Sequence, residues 1–473
     1  MSHMSRALAW APVRLARKRQ RRPPGLDTSV LADYDAIHST KWARRAAFRW
    51  GATMLGRTWD RAAQRLGRGG RLALAAGVLS SGTIVFAMAG PAGAATVHTV
   101  TVGELTDEGG SCAAPGIPTA KGVALAVKQI NEHPFTVAGK QYTIDLKPEN
   151  TNSDNTTAVN DLVSLTQNDG AKIVIGPGCG AYVEPGLGPL AVKEKILLFN
   201  PFPSATMDNP ATAVSYAKGA GSLIAISQAS SGQTAEAQGA LVTLFPKSDS
   251  IKSVYLLLED DEEGHTFGAS LGKYFTTHGY KLTTAYYPDG TQDFSGYLSA
   301  VKASSSDLLM YGYGDPSGLA ILKQAVALNA APNYYGWGSA LSDATGVNGP
   351  TGIQEPQVAL VYPVSLQYPT NAKIAEFAKQ FEAFNGGTLG SDSSYAAYLY
   401  DDPGLLVKAM EKANSTTNLP AIAKALYSLK YNGLLSSDEY FDSSHHLHFE
   451  VDGCYVAPGE NPTAHVTCKS VPQ

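Results

Sequence analysis

The stretch that most constrains this chain is Ala171–Asp208, AKIVIGPGCGAYVEPGLGPLAVKEKILLFNPFPSATMD. Lys172–Ile175 reads as a buried strand, Gly176–Gly180 as a glycine-rich turn and about Val183–Glu194 as a short helix. Ile196–Phe199 reads as a second buried strand, followed by a small-residue turn over Asn200–Ser204. Apolar runs of four or five residues alternating with helices mark strands buried on both faces of a parallel sheet. In such sheets ligands sit outside the carboxyl ends of the strands, where turns expose N–H groups and helix N-termini. Both turns lie at such ends, so the stretch outlines a small-molecule site before any side chain is considered.

The same alternation runs on both sides of that stretch. Strand Val97–Gly103 leads through a loop, Glu104–Pro118, into helix Thr119–Glu132; strand Tyr142–Lys147 precedes helix Thr156–Thr166. Ala217–Ser230 is small and polar and resembles a crossing linker more than a strand. A second series follows: strand Val254–Leu258, helix Phe267–Thr277, strand Leu282–Tyr286, helix Phe294–Ala303, strand Asp307–Tyr311, helix Leu319–Asn329, and strands Asn333–Trp337 and Val358–Pro363. Two long helices, Asn371–Phe384 and Tyr395–Ala413, precede Leu419–Leu429, and the tail Glu439–Val456 alternates like an antiparallel edge pair. Right-handed βαβ connections turn each series into a doubly wound lobe, and two such lobes face one another across a cleft. The expected division is 96–229 plus 364–436 for one lobe and 230–363 plus 437–473 for the other.

Charge separates a leader from this body. Residues 1–71 carry 16 Lys/Arg against 4 Asp/Glu, and the remainder 21 against 37, so the body is acidic and offers no basic stripe for nucleic acid. Leu72–Ala89 is 18 residues without a charge, and Ala92-Gly93-Ala94 behind it is a small-x-small pattern. Residues 72–95 therefore read as a secretory signal peptide cleaved after about Ala94, or as an uncleaved anchor just long enough to span a bilayer. Residues 1–71 form a basic extension, with translation starting at Met1 or at Met54. All four cysteines, Cys112, Cys179, Cys454 and Cys468, lie beyond the signal, and an even number in an exported chain favours disulfides over metal. Three connectivities are open. Cys112–Cys179 is favoured because both sit in loops leaving strands of the first βα units, and Cys454–Cys468 would close a loop of about 15 residues.

Several landmarks in order resemble a known family: TVTVGELTD; Gly122-Val123-Ala124-Leu125-Ala126-Val127 ending in Ile130-Asn131; IVIGP with its turn; FNPFPSA; YLLLEDDEEGHTFG before a helix; Asp293-Phe294-Ser295; Leu322-Lys323-Gln324-Ala325; and FDSSHHLHFEVDGCYV. Over about Val97–Pro458 the chain resembles the type I periplasmic solute-binding proteins of ABC importers, in the branched-chain amino acid and amide/urea branch. The resemblance implies two Rossmann-like α/β lobes joined by a multi-strand hinge, with an interlobe cleft. It also implies a monomer without cofactor or metal that closes on a solute outside the cytoplasm and presents it to a membrane permease. The first-turn hydroxyl position of the family falls at Gly180, beside Ala181 and Tyr182, and the second at Ser204, after Phe202. The lobe-two aromatic falls at Phe267. The acidic partner of an amino-acid ammonium falls near Gly338, between Trp337 and Ser339, and is missing. A buried ammonium without a counter-charge is costly, which argues against an ordinary α-amino acid; the ligand classes left open are amino-acid-like, amide-like and aromatic or neutral compounds. Asp315, in the turn GYGDPSG with Tyr313, is a candidate substitute. Tyr311 and Tyr335, within strands, read as core.

Other chemistry finds weaker support. Gly268-Ala269-Ser270-Leu271-Gly272 matches GxSxG, which works only with the serine on a strained turn directly after a strand. Here Ser270 falls inside a helix, so a secreted serine hydrolase is the lesser alternative. Gly312–Gly318 is one residue too long for a dinucleotide fingerprint and holds Pro316 where the helix should open. Among His445, His446 and His448 only the last two share a strand face, so no three-ligand metal cluster follows. Glu259–Glu263, EDDEE, lacks the glycine spacing of a calcium loop. A ligand sensor on the same fold is the remaining alternative to a transport receptor.

Overall fold

The computed structural model describes residues 96–178, 180–200, 223–288, 290–312, 317–336, 357–361, 363–387, 389–458 and 466–472. The leader and signal readings, over 1–95, lie outside these residues. The first sheet is built by β1 (Val97–Thr106), α1 (Ala113–Glu132), β2 (Phe135–Val137), β3 (Lys140–Asn150), α2 (Asn155–Gln167), β4 (Ile173–Ile175), α3 (Gly180–Glu194), β5 (Leu197–Asn200) and β6 (Ile224–Ile226). Its order is β2-β3-β1-β4-β5-β6, parallel except for the β2–β3 hairpin. Alternate residues bury on opposite faces. Val100 and Val102 meet Val123 and Val127 of α1 in one cluster, whereas Leu105, Val174 and Leu198 meet Leu162 and Leu165 of α2 and Leu187 of α3 in another. Helices on both faces explain why these strands read as unbroken apolar runs.

The chain then crosses to a second sheet through α4 (Ser231–Ala240). It continues with β7 (Ser253–Glu259), α5 (Glu262–Thr277), β8 (Lys281–Tyr287), α6 (Ser295–Ser304), β9 (Leu308–Tyr311), α7 (Ser317–Leu328), β10 (Tyr334–Gly336) and β11 (Gln357–Val361). It returns to the first sheet's side as α8 (Ala372–Phe384), a 3₁₀ segment Ser391–Ala397, α9 (Asp402–Ala413) and α10 (Leu419–Leu426). Gln380 and Asn385, at and just beyond the end of α8, accept hydrogen bonds from Gln129 and Lys121 of α1 at 2.9 and 2.6 Å. A last crossing brings the hairpin β12 (Tyr440–Phe441) and β13 (Leu447–His448), then β14 (Glu450–Val456) and β15 (Val466–Pro472). The second sheet runs β15-β14-β11-β10-β9-β7-β8, with β14 antiparallel to both β11 and β15. Val254, Leu256 and Leu258 face α5, while Tyr255 and Leu257 share a cluster with α6 and α7. The described chain thus passes between the two sheets three times.

Boundaries differ from the sequence expectation for local reasons. The first strand runs to Thr106 instead of Gly103 because its pairing with β3 continues to Asn150. The following helix starts at Ala113, not Thr119; Pro115 falls in its first turn, where an N–H has no intrahelical partner to lose. Within the expected linker 217–230, Ile224–Ile226 is a strand paired with β5. The α5 helix begins five residues before Phe267, because Asp261 caps it by accepting from the Gly264 N–H at 2.6 Å. The expected helix Tyr395–Ala413 is broken between residues 397 and 402; Pro403 opens a new helix there and disfavours helical continuity into it. The tail's β14 has β11 and β15 as its antiparallel partners, and β15 was not expected.

Candidate ligand-binding site

The carboxyl ends of β1, β4, β5 and β6 lie side by side in the first sheet. Gly176, just past β4, donates its N–H to the Phe199 carbonyl at 2.9 Å and has φ of 92°. A Cβ there would stand 2.2 Å from the Leu105 carbonyl oxygen, so only glycine lets the strand ends close up so tightly. The turn continues through the cis Gly176–Pro177 peptide. Helix α3 starts at Gly180, so Gly180, Ala181 and Tyr182 form its first turn instead of preceding it. A helix N-terminus at a strand end presents free N–H groups and partial positive charge.

The rim of this lobe is braced by side chains that the sequence reading did not single out. Buried Asp107 accepts from the Thr151 hydroxyl; Ser153 donates to the Gly109 carbonyl at 2.9 Å and accepts from the Cys112 N–H at 3.0 Å. These bonds clasp the loop after β1 to the loop after β3. Past β6, Ser227 donates to Asp402 at 2.8 Å, and the Tyr398 hydroxyl donates to the Gln228 amide oxygen at 2.7 Å. Asn200 closes β5, 1% exposed, with neither end of its amide hydrogen-bonded. The sequence reading treated it only as the start of a turn; a buried amide at a strand end is the feature that marks it.

Three buried carboxyl groups back this edge. Burial, aided by Glu108, pushes Glu104 on β1 up to about 8. Burial also raises Asp401, which is hydrogen-bonded to Glu439, itself raised well above the ordinary range by burial and by Asp401. Asp401 accepts from the Leu434 N–H at 2.7 Å, and Glu439 from the Ser436 N–H at 3.0 Å. The pair pins the start of α9 to the segment that leads into the last crossing.

In the second sheet, Phe267 sits in the second turn of α5, 9% exposed and part of the apolar cluster that includes Leu258 and Leu271. Tyr311, Tyr334 and Tyr335 are core, and the Tyr287 hydroxyl reaches the Gly312 carbonyl at 3.3 Å. Phe202, Ser204, Tyr313, Asp315, Trp337 and Ser339 lie outside the described residues, as do the side chains of Ala181 and Tyr182.

The remaining candidates separate by position. Cys454 and Cys468 are bonded across the β14–β15 pair. Cys112 is disulfide-bonded; the expected partner, Cys179, lies outside the described residues. His445 stacks on Tyr427 at 3.8 Å and His448 on Tyr440 at 4.6 Å, so these rings serve separate contacts. Among the described residues no group of His, Cys, Asp or Glu could hold a metal ion. The acidic run splits too: Asp260 pairs with His265 at 2.8 Å while Asp261 caps α5. Ser270 lies within α5, its hydroxyl 3.0 Å from that of Ser231, without the strand-to-helix turn that a hydrolase nucleophile needs.

Comparisons with known proteins agree with this geometry. No protein of curated function matches the sequence. The structure resembles a leucine-binding protein, LivK, from Thermotoga maritima at 18% identity, covering 79% of this chain and 98% of that one with a TM-score of 0.62. It resembles an ABC-transporter solute-binding protein from R. palustris in complex with benzoate at 17% identity, covering 79% and 97%, TM-score 0.61. It also resembles the branched-chain amino acid transporter substrate-binding protein LivJ from Streptococcus pneumoniae in complex with isoleucine, at 20%, covering 79% and 100%, TM-score 0.60. The sequence profile described as periplasmic binding protein matches residues 99–457. With two doubly wound sheets, three crossings and that match over most of its length, the chain belongs to the periplasmic binding protein family.

Proposed function

We propose that this extracytoplasmic solute-binding protein captures an aromatic or amide-like compound with a polar head, in preference to an ordinary α-amino acid, and delivers it to an ABC permease. The observation that carries the reading is the Gly176 turn running directly into the N-terminus of α3, beside the unpaired amide of Asn200. Free N–H groups and a helix dipole at one point suit a carboxylate or amide oxygen. The lobes are taken as 96–229 plus 364–436 and 230–363 plus 437–473. In the first, Gly180, Ala181, Tyr182, Phe202 and Ser204 hold the head. In the second, Phe267, Tyr313, Asp315, Trp337 and Ser339 clasp the rest. The ring-rich set and the absence of an acid near Gly338 disfavour an ammonium. A solved relative that binds benzoate supports the same direction. The signal over residues 72–95 would direct export.

Native mass spectrometry of the purified protein, followed by thermal-shift titration with benzoate, 4-hydroxybenzoate, benzamide and isoleucine, tests this. An aromatic acid or amide should stabilise the protein, and Ser204→Ala should weaken that effect. Stabilisation by isoleucine alone overturns the ligand class, and stabilisation by none of the four overturns the aromatic reading.

A further inference from the structure

A cavity of about 460 Å³ opens on the hinge side of the molecule. One wall is Glu236 on α4; a second is Ser270, Lys273 and Tyr274 on α5; the third is the β12–β13 turn with Asp442 and His446. The helices belong to the second sheet's side. The turn belongs to the first: the Ile226 N–H of β6 donates to the His445 carbonyl at 2.8 Å, Ile226 pairs with His446, and Tyr427 stacks on His445 while donating to the Ile224 carbonyl at 2.9 Å. A molecule in this cavity touches both halves of the hinge.

The chemistry of the walls is specific. Asp442 is already engaged, accepting from the Ser444 and His446 N–H groups at 2.7 and 3.0 Å and lying 3.4 Å from His448. Ser270 is engaged with Ser231. Lys273 and Glu236 are different: exposed on neighbouring helices, oppositely charged, and in no ion pair with each other or with any described residue. Tyr274, next to Lys273 on α5, lines the same cavity, its phenol raised by burial first, then by Tyr280 and by the Glu236 carboxylate. We propose that this cavity is a second small-molecule site, for a zwitterion of amino-acid size whose carboxylate meets Lys273, whose ammonium meets Glu236 and whose stem lies along Tyr274. The volume falls within the range of small-ligand pockets. Because its walls join α4 and α5, beside the second sheet, to a turn paired with β6 of the first, its occupant binds one hinge angle better than another and is thereby coupled, reciprocally, to the solute in the main cleft.

The test uses the purified protein, isothermal titration with glycine, L-glutamate, 4-aminobutyrate and 5-aminovalerate, and three variants, Lys273→Ala, Glu236→Ala and Ser204→Ala, each checked for folding by circular dichroism. At least one of these zwitterions should bind wild type and Ser204→Ala alike, and lose about tenfold in affinity in Lys273→Ala and in Glu236→Ala. Lys273→Arg should retain binding. Binding that Ser204→Ala removes and Lys273→Ala leaves intact places the zwitterion in the main cleft alone, which overturns this proposal but not the solute-binding reading. No binding by any of the four probes also overturns it, whatever the aromatic ligands do at the main cleft.

Discussion

Glu104 sits on β1 between Pro148 of β3 and Ile175 of β4, with its carboxyl buried on the face that α1 covers. Removal from water favours the neutral acid, and Glu108 adds to the effect. The folded chain therefore holds this proton more tightly than the unfolded chain, whose carboxyl titrates near 4.5. The contribution to stability is complete below pH 4.5 and is lost as pH rises through about 8, at roughly 1.4 kcal/mol per pH unit inside that window. Glu104→Gln, which keeps the shape and cannot ionise, should flatten this part of the pH dependence. Urea melts of both proteins at pH 5 and pH 8 would show it; an equal loss in both rejects the assignment. Nothing in the pattern TVGELTD announces a buried acid, since an alternating strand predicts burial of the position without its titration. Asn200 escaped for the same reason: its burial comes from β4 and β6 on either side, and a turn-like sequence hides that.

At the scale of elements, the legible parts were those with a strong period. The apolar runs of β4, β5, β7 and β9 read as strands buried on both faces, and glycine turns fixed where β4 and β9 ended. Caps and breaks were harder. Asp261 starts α5 a turn and a half before the apolar face becomes obvious, and the split before α9 depends on where the Asp401 and Asp402 side chains bury. The last pair of strands shows what a covalent link adds to such an element. Cys454 and Cys468 occupy facing positions of β14 and β15 with Cα atoms 4.0 Å apart. In the chain-entropy treatment, opening a loop of this size costs about 3 kcal/mol. The double variant Cys454→Ser/Cys468→Ser should lose that much in a denaturant melt under oxidising conditions. Wild type in reductant should fall at least as far; an unchanged midpoint in the variant would remove the staple from the account.

The described residues form two large sheets linked by three passages of chain, which permits rotation about a shared axis and resists twisting apart. The Asp401–Glu439 pair, the His445–Tyr427 stack and the β6 contact with the last hairpin all sit along those passages. Closure around a solute should shrink the particle, so small-angle scattering with and without a saturating stabilising ligand should give a smaller radius of gyration in its presence. At about 100 times the dissociation constant the ligand should also add roughly 2.7 kcal/mol. A ligand that stabilises without compacting the particle would mean binding to one lobe only. The two-lobed plan could be read from the order of its landmarks. The cleft could be placed only to the ends of strands, because side-chain direction there depends on turns whose partners are far away in sequence.

The second sheet is finished from far along the chain, where Val361 of β11 meets Asp452 of β14. Until β14 arrives, β11 has a bare flank of unpaired N–H and C=O groups, a ready template for pairing with the wrong neighbour. A chain of this design keeps that flank open through the whole return by α8, α9 and α10, so the long-range closing of the sheet waits on a pairing far slower than the local helices that precede it.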